Sequence, residues 1–181
     1  MAEAKIIFEG YTSIDTKGRS CSTVTLVRDN GITMVIDPGT LPGQKVLIDA
    51  LKKEGLSIDD INVVGLTHSH MDHFRNIGMF PKAKIIDYWG WWTSDRWKKC
   101  DGKVSENISI LGTPGHTKGS ITFLVETDKG KIAICGDVLW KNDLLHKDPF
   151  AEDLKELEKS RKKVLEIADY IIPGHGKMFK T

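Results

Sequence analysis

Apolar and polar positions change rhythm several times along the chain, and each change marks an expected element. Residues 5–10, 21–28 and 32–37 are short apolar, β-branched runs split by turn residues such as Asp29-Asn30-Gly31, which reads as a hairpin. The third run stops at Asp37-Pro38-Gly39, a strong breaker. Residues 43–54 then switch to helical spacing through Val46, Leu47, Ala50 and Leu51, with Gly55 placed to end the helix.

Residues 61–66 form a compact apolar run that predicts a buried strand delivering Thr67. A turn or short helix over 74–80 and a strand over 84–88 follow. Residues 108–111 predict another strand, ending in Thr113-Pro114-Gly115-His116. Residues 121–126 and 131–135 flank Thr127-Asp128-Lys129-Gly130 as a hairpin whose far strand ends at Gly136-Asp137. A helix is predicted from Asp148 as N-cap and Pro149 as first helical residue. Phe150, Leu154, Leu157, Val164, Leu165 and Ala168 form its apolar stripe. Lys159, Arg161, Lys162 and Lys163 read as its solvated face rather than an anion patch. A strand over 170–172 and the turn Pro173-Gly174-His175-Gly176 close the pattern.

Composition narrows the class. The chain has 181 residues, enough for one core and tight for two, so one domain over residues 1–181 is expected. It is 40% hydrophobic and 28% charged, an ordinary globular balance rather than a disordered one. A formal net charge of +1 predicts no general affinity for nucleic acid or an anionic membrane. Cys21, Cys100 and Cys135 are widely spaced with no CxxC pair, so no disulfide framework is expected. Together with an N-terminus lacking a long apolar run, this predicts a cytoplasmic protein with no membrane partner.

The chemistry concentrates in one run, His68-Ser-His70-Met-Asp72-His73. His68 and His70 are two apart, so an extended segment points both the same way, toward one ion. Asp72 and His73 follow where the chain turns, so they reach a second position nearby. Imidazole with carboxylate suits zinc, iron and similar ions. His116, Asp137 and His175 each follow a predicted strand within or beside glycine-bearing turns. Each alone has an ordinary explanation as a turn former or surface residue. Collectively, strand exits can bring them into one crevice. His146 has no partner pattern and is left out of the site.

In this order the motifs resemble those of the metallo-β-lactamase superfamily, over roughly residues 5–176. The resemblance implies an α/β fold, a four-layer αββα sandwich with its site where strand ends meet. It implies that His68, His70 and His116 bind one metal. Asp72, His73 and His175 would bind a second, with Asp137 bridging both and Asp37 holding a ligand histidine by hydrogen bond. Two divalent ions, zinc first and iron or manganese as alternatives, would supply a bridging hydroxide that attacks the substrate. Asp72 would orient it or accept its proton. Aspartate at position 137 resembles the glyoxalase-like and nuclease-like branches rather than the β-lactam-hydrolysing one, and Cys135 reads as buried beside the site.

The reading favoured by this resemblance is a hydrolase of a small ester, thioester or lactone. The alternatives are a phosphodiesterase or ribonuclease acting on RNA, and a mononuclear iron persulfide dioxygenase. Residues 88–99 hold four of the five tryptophans. They predict packing at a sheet edge, a lip over the site or a homodimer contact, with a stacking platform for nucleic acid as a further possibility.

Overall fold

The structure, a computed structural model, describes residues 1–142 and 148–181; His146 therefore lies outside the described residues. Among the described residues, twelve strands build two sheets. β1 (Glu3–Phe8), β2 (Val24–Asp29) and β3 (Ile32–Ile36) are antiparallel neighbours. α1 (Gln44–Lys53) crosses over to β4 (Val63–Gly65), which lies parallel to β3; α2 (Met71–Phe74) precedes β5 (Lys84–Ile86), parallel to β4. β6 (Trp91–Thr93) and β7 (Arg96–Lys98) extend this sheet as an edge hairpin, giving the order β1-β2-β3-β4-β5-β6-β7.

The second sheet contains β8 (Ile108–Gly112), β9 (Ile121–Thr127), β10 (Gly130–Ile134), β11 (Tyr170–Ile172) and β12 (Phe179–Lys180), in the order β12-β11-β10-β9-β8. α3 (Leu154–Ile167) joins β10 to its parallel neighbour β11. The predicted hairpin over 121–135 is present, in the register Ile132↔Val125 and Ala133↔Leu124.

Strand alternation explains the layering, because successive side chains point to opposite faces. From the first sheet, Val27, Met34, Ile36 and Val63 meet Phe123, Val125, Ile134 and Ile172 of the second. The opposite face, with Leu26, Val35 and Val64, packs on Leu47 and Leu51 of α1. Ala133 and Ile171 of the second sheet pack on Leu157, Val164 and Ala168, in and just beyond α3. Three buried seams between four layers make the expected αββα sandwich.

Two expectations change. α3 begins at Leu154, with Asp153 as N-cap accepting from the amides of Lys155 and Glu156 at 2.9 and 3.1 Å. Asp148 is not the cap, and Pro149 is not helical. Phe150 and Leu154 are accordingly 58% and 43% exposed, so the buried stripe starts at Leu157. The second change concerns the strands, several of whose ends shift by one to three residues. The run starting at 21 is strand only from Val24, because Ser22 and Thr23 donate their amides to the carbonyls of Asp72 and Gly174 instead of to a neighbouring strand.

The Trp-rich stretch is the edge hairpin. Trp91 packs against the inter-sheet core, whereas Trp89 and Trp97 are exposed. Among the described residues, no helix is long and apolar enough to cross a membrane.

Candidate metal centre

β3, β4, β8, β10 and β11 all leave their sheets at the same end of the sandwich, and each hands over to one candidate residue or run. β3 ends at Asp37. Its backbone lies in the left-handed region, with φ 50°, a conformation aspartate tolerates better than most residues. β4 delivers Thr67 and His68, and α2 carries Asp72 and His73. The turns after β8, β10 and β11 carry His116, Asp137 and His175. Backbone bonds stitch the loops together at this end. Ile121 donates to the Thr67 carbonyl at 2.8 Å, Thr23 to Gly174 at 2.7 Å and Ser22 to Asp72 at 3.0 Å.

The geometry gathers all seven sequence-predicted residues into two adjoining groups. His68, His70, His116 and Asp137 each offer a ligand atom within 4.8 Å of the others, as do Asp72, His73 and His175. Asp137 Oδ1 lies 3.2 Å from His73 Nε2 and 3.3 Å from His175 Nε2, and its Oδ2 lies 3.4 Å from His116 Nε2. It therefore stands between the two groups. Gly174 makes that position possible, since a Cβ there would sit 2.0 Å from Asp137 Oδ1.

Four histidines are held from behind by their Nδ1 atoms. Asp37 Oδ2 is 2.8 Å from His73 Nδ1 and accepts the Thr67 hydroxyl at 2.6 Å. With its proton committed to Asp37, the Thr67 oxygen accepts from His68 Nδ1 at 3.1 Å. His175 Nδ1 donates to the Cys21 carbonyl at 2.9 Å, and His116 Nδ1 lies 2.5 Å from Asp148. Each bond occupies Nδ1 and turns Nε2 toward the centre. His70 turns its Nδ1 inward, 2.9 Å from His116 Nε2.

Three of the inward atoms, His68 Nε2, His73 Nε2 and Asp137 Oδ1, are buried without a hydrogen-bond partner. Orphaned buried polar atoms cost roughly 1–3 kcal/mol each and are rare. Here they converge from three segments on one place. Nitrogen and carboxylate oxygen are the donors that zinc, iron and related divalent ions take. The residues present therefore fit metal ions.

Charge supports the same reading. Burial works against ionised Asp137, but His175 and His73 outweigh it and hold the carboxyl well below its usual range. Burial also opposes charge on His73, yet Asp137 and Asp37 together hold it well above the usual histidine range. His175 is raised in the same way, mainly by Asp137 against burial. Burial and the neighbouring His73 push His68 well below that range, and burial with His116 lowers His70. The centre is thus arranged around an anion that requires positive charge beside it.

Sequence reasoning missed Ser20 and Asp148. The Ser20 hydroxyl bonds Asp72 Oδ2 across 52 residues of chain. Nothing in the local sequence of either residue signals its partner. Cys135 is buried beside the site as expected. Burial pushes its thiol up to about 12, and its sulfur faces the Gly136 and Ile172 carbonyls.

Comparison with known proteins agrees. The family model of the metallo-beta-lactamase superfamily matches residues 19–97. Metallo-beta-lactamase domain-containing protein 1 of Xenopus laevis is 30% identical over 189 residues, covering 97% of this chain and 80% of the relative. The chain spans only 61% of the mouse protein of that name and 59% of the human one. A hydroxyacylglutathione hydrolase of Haemophilus influenzae is 29% identical over 174 residues, covering 78% of this chain and 79% of the relative.

Among solved structures, a Thermotoga maritima protein superposes with TM-score 0.76 at 22% identity, covering 99% of both chains. An N-acyl homoserine lactone hydrolase with product at its catalytic metal centre gives 0.69 at 16% identity, covering 96% of this chain and 92% of its own. A protein solved in a di-iron-bound form gives 0.67 at 21% identity, covering 88% and 89%. Fold, buried His/Asp cluster and sequence relatives converge, and the chain belongs to the metallo-beta-lactamase superfamily as a metallo-hydrolase of that fold.

Proposed function

We propose that the chain hydrolyses a small ester, thioester or lactone at a dinuclear metal site. His68, His70 and His116 hold one ion, Asp72, His73 and His175 the other, and Asp137 contacts both. The observation that carries this reading is the convergence of buried, unpartnered His68 Nε2, His73 Nε2 and Asp137 Oδ1 on one point. Its nitrogen-rich donor set suits zinc or iron, and zinc is the first expectation.

When bound, the ions supply Lewis acidity and a water acidified to near neutral pH. The protein supplies position and proton handling. Asp37 holds His73 directly and His68 through Thr67, so one buried carboxylate orients a ligand in each group. Asp72 is more open than Asp137, with 22% of its side chain exposed against 5%, and carries the Ser20 hydroxyl. It is the carboxylate placed to orient the attacking water and take its proton.

Trp140 supplies an apolar wall. Its ring centroid lies 6.3 Å from that of His116 and 6.1 Å from that of His175, so it borders both groups. Phe150 stacks on it at 5.8 Å. An aromatic wall beside the centre offers the apolar part of an acyl substrate a surface to pack on. The likeness to a hydroxyacylglutathione hydrolase and to a lactone hydrolase supports a carbonyl centre as well.

The test is metal analysis of protein purified without added ions, paired with ester, thioester, lactone and phosphodiester substrates. About two ions per chain and turnover of a carbonyl substrate are expected. Undiminished hydrolysis by chelator-stripped protein would refute the reading. One iron with oxygen uptake on a persulfide would replace it.

A further inference from the structure

Among the described residues, Asp37 is one of two buried carboxylates behind the histidines. The other is Asp148, whose side chain is 1% exposed. Its Oδ2 lies 2.5 Å from His116 Nδ1, and its Oδ1 accepts the Phe150 amide at 2.9 Å. It is not a helix cap, since Asp153 performs that task for α3. A carboxylate buried at this depth is costly unless paired, and its side-chain partner is a histidine at the centre.

The backbone around His116 is gripped by the same segment. Glu152 donates to the His116 carbonyl at 3.0 Å, and Asp153 donates to that of Gly115 at 2.9 Å. The Ser160 hydroxyl bonds the Pro114 carbonyl at 2.7 Å. Gly115, at φ 132°, lets α3 approach so closely that a Cβ there would meet Leu157 N at 2.2 Å. Ring and loop are therefore fixed by one piece of chain, residues 148–160.

We propose that Asp148 is a positioning residue for His116 in the His68/His70/His116 group, as Asp37 is for His73. An ionised carboxylate only accepts, so the proton of neutral His116 stays on Nδ1 and the lone pair stays on Nε2. That nitrogen lies 2.9 Å from His70 Nδ1 and 3.4 Å from Asp137 Oδ2, among the other donors. Asp148 thereby couples the seating of one ion to the docking of the 148–153 segment. The proposal rests on the dinuclear reading above.

The test titrates zinc into metal-free wild type, Asp148→Ala and Asp148→Asn against a chromophoric chelator. Nitrogen-15 spectra of the histidines and thermal midpoints of the metal-free forms are recorded alongside. Wild type is expected to take two ions and to show His116 as the Nδ1-protonated tautomer. Asp148→Ala should weaken one ion by about 10–100-fold, leave the other within about threefold and mix the His116 tautomers. Asp148→Asn, which keeps one acceptor, should recover part of the loss. A lowered thermal midpoint with both affinities intact would show a scaffold role and overturn the proposal. Equal weakening of both ions would overturn it too. If wild type takes up no ion, the dinuclear reading fails and this proposal falls with it.

Discussion

The two ends of the sandwich each bury an aspartate to the same degree, and they treat it in opposite ways. Asp137, at the end where the strands open into the site, is 5% exposed, and so is Asp29, at the far turn between β2 and β3. Asp29 is saturated. Its Oδ2 accepts the Ser105 hydroxyl at 2.5 Å and the Asn107 amide at 3.2 Å, and its Oδ1 accepts the Asn107 side chain at 2.8 Å. These bonds tie one sheet to the approach of the other. Asp137 has imidazoles around it at 3.2–3.4 Å, and its Oδ1 is left without a hydrogen bond. Burial alone does not separate a structural carboxylate from a candidate ligand; unmet bonding capacity does.

The sharpest way to break this comparison is to exchange the two for alanine. Asp137→Ala should abolish hydrolysis, a loss of about a thousandfold or more, and reduce bound metal, while circular dichroism shows the fold retained. Unchanged turnover and metal content in that variant would remove the distinction between the two ends. Stripping the ions with a chelator should lower the wild-type thermal midpoint by roughly 5–10 °C, and added metal should restore it. Asp137→Ala should show little of that response.

Asp29→Ala should do the reverse. Urea unfolding should report a loss of about 1–3 kcal/mol, with kcat/KM within about twofold of wild type. Its pH dependence sharpens the point. Burial pushes the Asp29 carboxyl up, but the bonds from Ser105 and Asn107 outweigh it and hold the group below the usual carboxylate range. The unfolded chain then binds the proton more readily than the folded one. The stabilisation is present above about pH 4 and is lost as pH falls through the lower folded value. The stability gap between wild type and Asp29→Asn should therefore be full near pH 6 and shrink in strong acid. The smallest effect concerns Cys135. With its thiol raised to about 12, it should resist alkylation near pH 8 in the folded protein, and half-buried Cys100 should be modified first.

Much of this was legible in the chain itself. Alternation and helical spacing are local properties, so the predicted strands and α1 fell close to their places, whereas β6, β7 and β12 were not foreseen. The His68–His73 run carries its own geometry, because two residues in extended chain share a face and the next two sit past a turn. His116, Asp137 and His175 were marked by the turns that follow apolar runs. The tertiary structure alone decided what stands behind them. Asp148 is 32 residues from His116 and precedes a proline and a helix, so locally it is indistinguishable from an N-cap. Ser20 is 52 residues from Asp72, and Asp29, in Asp-Asn-Gly, reads as nothing more than a hairpin turn. The candidate ligand motif is legible along the chain because residues close in sequence reach two adjoining positions. Its supporting hydrogen bonds are made wherever packing brings a donor and an acceptor together, and no local pattern records that meeting.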